Sequence, residues 1–466
     1  MDFLSVPFLG LQAILLTIYW FAPDRQWQNR VLLGGTVFFL FALGRATACL
    51  LIASTVLEWA IALRLEKAAS PRGRRAWLWA SVVLNIGALA ACKFGRFLPT
   101  EFGLRHIPTA WLMTLVPVGL SFWTLQKMSL TLDVYFRRRP AERDLTACLL
   151  FAGFFPTVLS GPIEASRNFL PQLEKKRVWD VRRFSEAIWL VAQGAFLKAV
   201  IADNLAPVSE NLLGTGAHGI SIVLGGYAYA LQLFGDFAGY SYMARGIARA
   251  YGIDITQNFV APFLTRNLSD FWKNWHASLT AFLNENVFAP VSLRLRSQGT
   301  TGIVIAIWAT FLASGIWHGT GWLYVVYGGI HALGISFLAM TRNWRKKMVS
   351  RFGKDGWYAT ACILLTFHYV VMSFLVFRSP DLHSAVAQLG AVFRGGWSLS
   401  GLDVDWATLL LSGLAVFWLQ GRIHTSRDVF WIFARPVWFR VAFYLLLGFL
   451  LTRYFAPSDR FIYFQF

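Results

Sequence analysis

Long apolar runs alternate with short basic segments along the whole chain. The runs that are candidates for membrane-spanning helices lie at about 3–21, 31–43, 46–63, 76–92, 110–134, 185–201, 219–235, 302–317, 323–340, 357–377, 404–420 and 438–452. A helix needs about 20 residues to cross the hydrocarbon of a bilayer, so a run as short as 31–43 has to extend into polar neighbours or pack inside the bundle. The pattern predicts an all-α protein that crosses the membrane many times.

Basic segments between the runs predict the orientation. They occur at 64–75, 137–143, 174–183, 342–354 and 422–440. The positive-inside rule places all five in the cytoplasm, which puts both chain termini outside. The segment 145–163 then lies alone between two cytoplasmic clusters and cannot cross once. Because Pro156 and Pro162 interrupt it, we expect a re-entrant segment buried in protein.

A second unusual region, 236–298, is helical in pattern but too polar to span. We expect tilted or interfacial helices there on the cytoplasmic side, with Ser269 as an N-cap and Asp270 in the first turn of a helix. We expect one integral-membrane domain over 1–466. It divides into N-terminal helices (1–135), a core with the candidate chemistry (136–340) and C-terminal helices (341–466).

Composition supports the membrane assignment. Charged residues make up 14% of the chain and hydrophobic residues 56%, whereas soluble domains carry about 25% charged residues. The net charge of +19 fits membrane orientation and contact with anionic lipids, and no motif for nucleic-acid binding accompanies it. The four cysteines lie far apart without metal-ligand spacing, so no metal site is expected. The N-terminus lacks a basic n-region and is expected to be a retained first span.

His318 is the first candidate for chemistry. It lies in "SGIWHGTGW" between Trp317 and Trp322, close to the outer end of a predicted span. Gly315 and Gly319 flank it, so another chain segment or a ligand can approach the backbone. A neutral imidazole is the titratable base that costs least at such a depth, and it suits general-base catalysis near neutral pH. A hydrogen-bonded structural histidine fits the local sequence equally well.

His276, in "SDFWKNWHASL", is the second candidate. On one continuous helix, Trp272 and His276 share a face, and Asp270 and Asn274 share another. An amphipathic interfacial helix explains this pattern without any chemistry. Asp236 ends an apolar run and is a functional candidate by its depth, although a pair with Lys or Arg is the alternative. No P-loop, HExxH or GxSxG motif is present, which leaves histidine-assisted direct transfer.

Seven motifs in order carry a family resemblance: "VPVGLSFWTLQKMSLTLDVY", "GFFPTVLSGPIEASRNFLPQL", "LKAVIADNL", "LFGDFAGYSYMARGIARAYGI", "NFVAPFLTRNLSDFWKNWHASLTAFL", "GIWHGTGWLYVVYGGIHAL" and the terminal "FIYFQF". Together they resemble bacterial membrane-bound O-acyltransferases of the alginate O-acetyltransferase type. They are also similar to the membrane protein of teichoic-acid D-alanylation. The resemblance covers nearly the whole chain.

The resemblance implies a ring of about 11–12 transmembrane helices, with re-entrant and interfacial helices, around a central tunnel. The family's Trp-His-Gly histidine corresponds to His318, and the histidine of its Trp-x-x-Trp-His segment to His276. These two are the catalytic candidates. The substrate-binding candidates around them are Trp272, Trp275, Asn274, Asp270, Trp317, Trp322, His331 and Asp236.

The implied function is an inner-membrane O-acyltransferase, of the acetyltransferase type. It takes an acyl group from a cytoplasmic thioester, acetyl-CoA or another, with no tightly bound cofactor. The acceptor is a hydroxyl of an extracytoplasmic polysaccharide or partner protein, and a separate extracytoplasmic acyltransferase is the expected partner. Asn284, Glu285 and Asn286 replace the Arg-Asp-Tyr sequence that is usual in the family, which leaves the acceptor open. A transporter or flippase, and a non-catalytic docking subunit, are the alternatives.

Overall fold

The computed structural model describes residues 3–101, 117–399, 402–426, 428–456 and 462, without the side chains of 96–101. These ranges consist of helices, turns and loops and contain no β-strand. The chain divides into two compact units. Unit 1 comprises Met1–Gln193 and Tyr240–Gln257, and unit 2 comprises Gly194–Gly239 and Asn258–Phe466. The chain changes unit at three points, all inside the predicted core 136–340. The three-part division remains a sequence-based prediction.

The described α-helices are numbered in chain order. They are α1 Val6–Trp20, α2 Arg25–Leu43, α3 Arg45–Lys67, α4 Pro71–Val82, α5 Ala88–Glu101, α6 Leu120–Tyr135, α7 Leu145–Gly153, α8 Ser166–Leu173, α9 Val181–Ala195, α10 Asp203–Leu212, α11 Ile220–Ala250, α12 Leu268–Asn274, α13 Ala277–Leu283, α14 Ala289–Arg294, α15 Thr300–His318, α16 Trp322–Met340, α17 Arg342–Phe352, α18 Trp357–Arg378, α19 Leu382–Ala391, α20 Trp406–Ser426 and α21 Val437–Arg453. Short π-helical or 3-10 segments join several of them, at Val83–Gly87, Phe196–Ala202, Pro262–Leu264, Asn284–Phe288, Arg296–Gln298 and Trp431–Ala434.

Eight helical segments of the described chain are long and apolar enough to cross a membrane. They are Arg45–Lys67, Pro71–Gly95, Val181–Leu212, Ile220–Ala250, Thr300–His318, Trp322–Met340, Trp357–Arg378 and Trp406–Ser426, and α1 is a shorter apolar helix. The prediction of an all-α protein with many membrane-spanning helices is therefore confirmed. The first part of the predicted run 110–134 lies outside the described residues.

Helix α11 corrects the predicted boundary at residue 236. It continues without interruption for 31 residues, through Asp236 to Ala250. The reason is charge neutralisation, because the Lys198 ammonium lies 2.6 Å from the Asp236 carboxylate, and both side chains are buried. An isolated carboxylate would interrupt an apolar span, whereas a paired one is accommodated. Only the part of 236–298 that follows this helix consists of short helices and turns.

The segment 145–163 is broken as the prolines predict. Helix α7 begins after Asp144, whose carboxylate accepts a hydrogen bond from the amide of Thr146 (2.8 Å), and it ends at Gly153. Nine helical residues span about 13 Å, which is too short to cross a bilayer. The residues from Phe154 to Glu164 are buried without forming a regular helix. The path of this segment relative to the membrane remains a prediction.

Candidate functional site

His318 is the last residue of α15, in unit 2, and its side chain is surrounded by aromatic rings. The residue is 5% exposed. Its ring centroid lies 4.9 Å from that of Trp317, 5.5 Å from that of Phe377 and 6.1 Å from that of Tyr327. All three rings meet the imidazole edge to face. These three neighbours make the wall around the imidazole largely aromatic.

Glycines fix the position of His318 through the packing of α15 on α16. A Cβ atom at Gly315 would lie 2.2 Å from the carbonyl oxygen of Tyr324, and one at Gly319 would lie 2.2 Å from the ring of Tyr324. Neither position can therefore accept a side chain without movement of α16. The close approach that the flanking glycines predict is thus made by the neighbouring helix, which holds the end of α15 in place.

His276 lies in a turn between α12 and α13, which corrects the prediction of one continuous helix. Trp275 is extended, and His276 has φ 46° and ψ 49°, in the left-handed region. A non-glycine residue in that region costs about 1–3 kcal/mol, so the surrounding structure has to hold it. Trp272 and His276 consequently do not stand one above the other on a single helix. The N-cap of α12 is Asn267 rather than Ser269, and Asp270 lies in the first turn as predicted.

Asn258 holds the strained turn at His276. Its backbone carbonyl accepts a hydrogen bond from the amide of Ala277 (3.0 Å), and its side-chain oxygen accepts one from the amide of Ser278 (3.0 Å). The amide of Val260 also donates to the carbonyl of Asn274 (3.1 Å). Two first-turn amides of α13 are thereby satisfied, as helix termini require. Asn258 is buried, and sequence reasoning missed its role because its partners lie about 20 residues away.

The side chain of His276 is buried at 1% exposure and contacts the same tryptophan as His318. Its ring centroid lies 4.7 Å from that of Phe237 and 6.1 Å from that of Trp317. Burial, and then the neighbouring His318, lower the pKa of His276 well below its usual value. Trp317 therefore contacts two imidazoles that belong to segments about 40 residues apart in sequence. The lowered pKa keeps His276 neutral at physiological pH.

His331 extends the cluster. The indole nitrogen of Trp272 donates a hydrogen bond to Nδ1 of His331 (3.3 Å), which joins α12 to α16. Indole nitrogen is only a donor, so Nδ1 carries no proton, and in a neutral ring the proton is on Nε2. Within the described residues this fully buried Nε2 has no hydrogen-bond acceptor. The ring thus presents an unused N–H group to the interior of unit 2.

Tyr327 is a candidate that sequence reasoning missed. Its buried ring lies 6.1 Å from His318 and 4.9 Å from His331, between the two imidazoles. Tyr327 and His331 are four residues apart on α16, so the sequence "YVVYGGIHAL" does place them on one helix face. This spacing of four residues could have identified Tyr327 from the sequence as a neighbour of His331. The ring of Tyr327 therefore belongs to the lining that His318 and His331 share.

The remaining predicted residues lie in different surroundings. Trp275 is buried among phenylalanine rings, with Phe374 at 5.0 Å and Phe259 at 5.1 Å. Trp322, the first residue of α16, is 60% exposed and lies away from the imidazoles. Asp270 pairs with Lys273 (3.0 Å), and the Asn274 amide donates to the backbone of Asp270 (2.7 Å).

Asp236 belongs to a buried ion cluster. Lys198 lies 2.6 Å from Asp236 and 2.8 Å from Asp203, and the amide of Ile462 donates to Asp236 (2.9 Å). This is the charge-paired alternative that the sequence left open. The structure therefore brings together His318, His276, Trp317, His331 and Trp272, and leaves Trp322, Asp270 and Asn274 in other surroundings.

Among the described residues, no group of three His, Cys, Asp or Glu side chains is placed to hold a metal ion. The cluster is instead made of imidazoles, indoles and phenyl rings. Such a lining can bind an uncharged or weakly polar group and can accept or donate single protons. It suits proton transfer within an apolar enclosure.

Comparison with known proteins agrees with this chemistry. The model of the membrane-bound O-acyltransferase family matches residues 16–376. The chain is 30% identical to the probable alginate O-acetylase AlgI of Pseudomonas putida over 443 residues, which cover 91% of this chain and 86% of that protein. It is 28% identical to the peptidoglycan O-acetyltransferase of Helicobacter pylori over 437 residues, covering 86% and 80%.

A third relative transfers a different group. The chain is 27% identical to the teichoic acid D-alanyltransferase of Bacillus subtilis over 284 residues, which cover 57% of this chain and 69% of that protein. The family match covers the two catalytic candidates as well as His331. The protein is an acyltransferase, and the chain belongs to the membrane-bound O-acyltransferase family.

Proposed function

We propose that this protein transfers an acyl group, of the acetyl type, from a cytoplasmic thioester to a hydroxyl on the outer side of the membrane. The observation that carries the proposal is the pair of buried imidazoles, His276 and His318, that both contact Trp317. The relatives named above include two O-acetylating proteins, which supports an acetyl group. Acetyl-CoA or another small acyl thioester is the proposed donor.

His318 is the proposed general base. Its imidazole accepts the proton of the acceptor hydroxyl while the hydroxyl oxygen attacks the thioester carbonyl. The new C–O ester bond forms, the C–S bond breaks, and the thiolate leaves. The proton on His318 then passes to the thiolate, so the enzyme returns to its starting state. General-base help of this kind contributes about 10²–10⁴-fold. Alignment of the reactants in an enclosed site supplies a further part of the acceleration.

His276 is the proposed positioning group. It is held in a strained turn by Asn258, and its neutral ring can donate one hydrogen bond to the thioester carbonyl oxygen as negative charge develops there. His331, through its N–H at Nε2, and Trp272 are proposed to bind the acyl donor or the acceptor beside it. Trp275 and Asp236 are proposed to pack around this lining and to hold it in place.

The acceptor is proposed to be a polysaccharide hydroxyl or a hydroxyl of a partner protein. Since the relatives act on different acceptors by name, identity of about 30% does not select one. A separate extracytoplasmic acyltransferase is the proposed partner for completing the transfer. The proposed location is the bacterial inner membrane with both termini outside. A reporter that works only in the cytoplasm can be fused after Phe466. Activity of that fusion would contradict the orientation.

An acetyl-transfer assay with the purified protein tests this proposal. The protein in detergent or nanodiscs is mixed with acetyl-CoA and a panel of short oligosaccharides, and the free thiol and the acetylated product are both measured. We expect thiol release that depends on His318. A transporter or a docking subunit would give no thiol release above the background of the His318→Ala variant, and that result would overturn the proposal.

A further inference from the structure

A second site lies in unit 1, away from the histidines. A cleft of about 740 Å³ is formed by the segment 172–183, by Glu186 and by the end of α11 with the residues after it. Six cationic side chains line it, against three carboxylates. The cations are Lys175, Lys176, Arg177, Arg182, Arg183 and Arg249, and the carboxylates are Asp180, Glu186 and Asp254. The excess of positive charge favours an anionic ligand.

Arg177 contributes a buried charge that pairs with no carboxylate in the part of the chain that the structure describes. Its guanidinium donates to the hydroxyl of Tyr19 (2.7 Å), the side-chain oxygen of Asn29 (2.8 Å) and the carbonyl of Lys175 (3.0 Å). All three acceptors are neutral, so the positive charge of this buried side chain persists in the cleft lining. By contrast, Arg249 pairs with Glu186 and Asp254, and Arg183 pairs with Asp254. Lys175 and Arg182 are exposed at its rim, where Arg182 also lies 3.2 Å from the Glu186 carboxylate.

An apolar groove begins where the basic cleft ends. The groove, of about 340 Å³, is lined by α1, α9 and the last part of α11. Arg183 and Glu186 of the cleft are followed directly on α9 by Phe184 and Ala187 of the groove, and Arg249 is followed by Ala250. From Phe184 to Ala192 the groove follows about 12 Å of helix. A charged cleft and an apolar groove thus adjoin along the same two helices, α9 and α11, of one unit.

Gln12 places a polar group in this apolar groove. The residue is 8% exposed, and its side-chain oxygen accepts a hydrogen bond from the hydroxyl of Tyr251 (2.9 Å). Its amide nitrogen has no acceptor within the described residues. A buried donor without an acceptor costs about 1–3 kcal/mol, so a ligand carbonyl there would stabilise the groove. Phospholipids carry ester carbonyls between their phosphate and their acyl chains.

We infer that this cleft and groove bind one anionic phospholipid, with the phosphate in the basic cleft and an acyl chain in the groove between α1 and α9. The exposed apolar side chains of Val178, Trp179 and Ile188 around the site are typical of a membrane interface. A soluble phosphate compound such as coenzyme A would use the cleft but has no use for the groove. The inference is independent of the proposed acyl transfer.

The test is native mass spectrometry of the purified full-length protein with an equimolar mixture of phosphatidylglycerol and phosphatidylcholine of identical acyl chains. We expect retention of phosphatidylglycerol. A cation near anionic lipid contributes about fivefold in binding, so the Lys175→Gln, Arg182→Gln double variant should lose about 25-fold. The matched control is Lys346→Gln with Lys347→Gln, two exposed lysines of α17 in unit 2, which should retain the lipid within twofold.

A second variant tests the acyl chain. Ala192→Trp fills the groove and should lower retention of phosphatidylglycerol at least tenfold while the protein stays monodisperse. An equal loss of phosphatidylglycerol retention in the Lys346→Gln, Lys347→Gln control would show that the lipid is attracted to surface cations in general. That result would overturn the inference. The other contrary outcome is that the Ala192→Trp variant retains phosphatidylglycerol unchanged, with coenzyme A or inorganic phosphate displacing the lipid. That result would assign the cleft to a soluble phosphate ligand and would also overturn the inference.

Discussion

Two neighbouring residues of α11 face two different kinds of buried site. Asp236 belongs to the ion cluster with Lys198 and Asp203, in which each charge has an opposite partner within 2.8 Å. Phe237, the next residue, packs against His276 in the histidine cluster, where the surroundings are aromatic rings. The single ammonium of this cluster is shared by two carboxylates, so its loss would leave buried charges uncompensated. In the proposed mechanism, the imidazoles in this aromatic enclosure carry out the proton transfer.

The same contrast extends to unit 1. The buried carboxylate of Glu58 accepts hydrogen bonds from the hydroxyls of Ser81 (2.6 Å) and Thr131 (2.5 Å) and from the amide of Asn85 (2.7 Å). As in the Lys198 cluster, the polar atoms of this network pair with one another inside the protein. An ionisable residue in an apolar run therefore indicates either structural pairing or chemistry, and its partners decide which.

Removing the central charge of the ion cluster should have the largest effect. Lys198→Met leaves Asp203 and Asp236 buried without a cation, which costs about 3–5 kcal/mol of unfolding free energy. We expect little monodisperse protein in size-exclusion chromatography with fluorescence detection. The matched control is Lys346→Met at an exposed position. Normal yield and melting of Lys198→Met would contradict the structural role, whereas the triple variant with Asp203→Asn and Asp236→Asn should recover part of the stability.

Glu58→Leu should be the next largest change. It leaves three buried donors, on Ser81, Asn85 and Thr131, without their acceptor, which costs about 1–3 kcal/mol or more of unfolding free energy. Acyl transfer per folded molecule should stay normal. Thermal unfolding and single-turnover transfer are measured side by side, with Glu210→Leu at an exposed position as the control. Loss of transfer at unchanged melting temperature would show that this network takes part in the chemistry.

Asn258→Leu should separate positioning from folding. The variant removes the acceptor for the amide of Ser278, so the left-handed turn at His276 can relax. We expect transfer to fall about tenfold through kcat, since a displaced catalytic group loses alignment. Asn258→Asp keeps an oxygen acceptor at the start of α13 and should retain most of the rate. Equal acyl-transfer rates for Asn258→Leu and Asn258→Asp would show that the Asn258 side-chain oxygen does not position His276.

Trp272→Phe should have the smallest effect. It keeps the ring contact with His331 and loses the hydrogen bond to Nδ1, which contributes about 1 kcal/mol. We expect a few-fold drop in transfer and little change in melting. Trp344→Phe, at an exposed tryptophan of α17, is the control. A drop of a hundredfold or more would show that Trp272 contacts the reacting groups directly.

The sequence predicted the helical, polytopic fold because apolar runs report burial in lipid or protein directly. It also predicted the break in 145–163, since proline fixes the backbone. It failed at His276, where the pattern of Trp272 and His276 fits a continuous helix but hydrogen bonds from Asn258 stabilise a turn instead. Such bonds join segments that are distant in sequence. The pairing of Trp272 with His331, 59 residues away, was invisible for the same reason.

The most direct test of the central claim is single-turnover transfer by His318→Gln at equal amounts of folded protein. Glutamine retains one hydrogen-bonding group but cannot accept a proton at neutral pH. We expect unchanged melting and a transfer rate lower by about 10²–10⁴-fold, because general-base help is lost. His276→Gln should be milder, since an amide can still donate a hydrogen bond. A His318→Gln protein with near-normal turnover would contradict the assignment of His318 as the base.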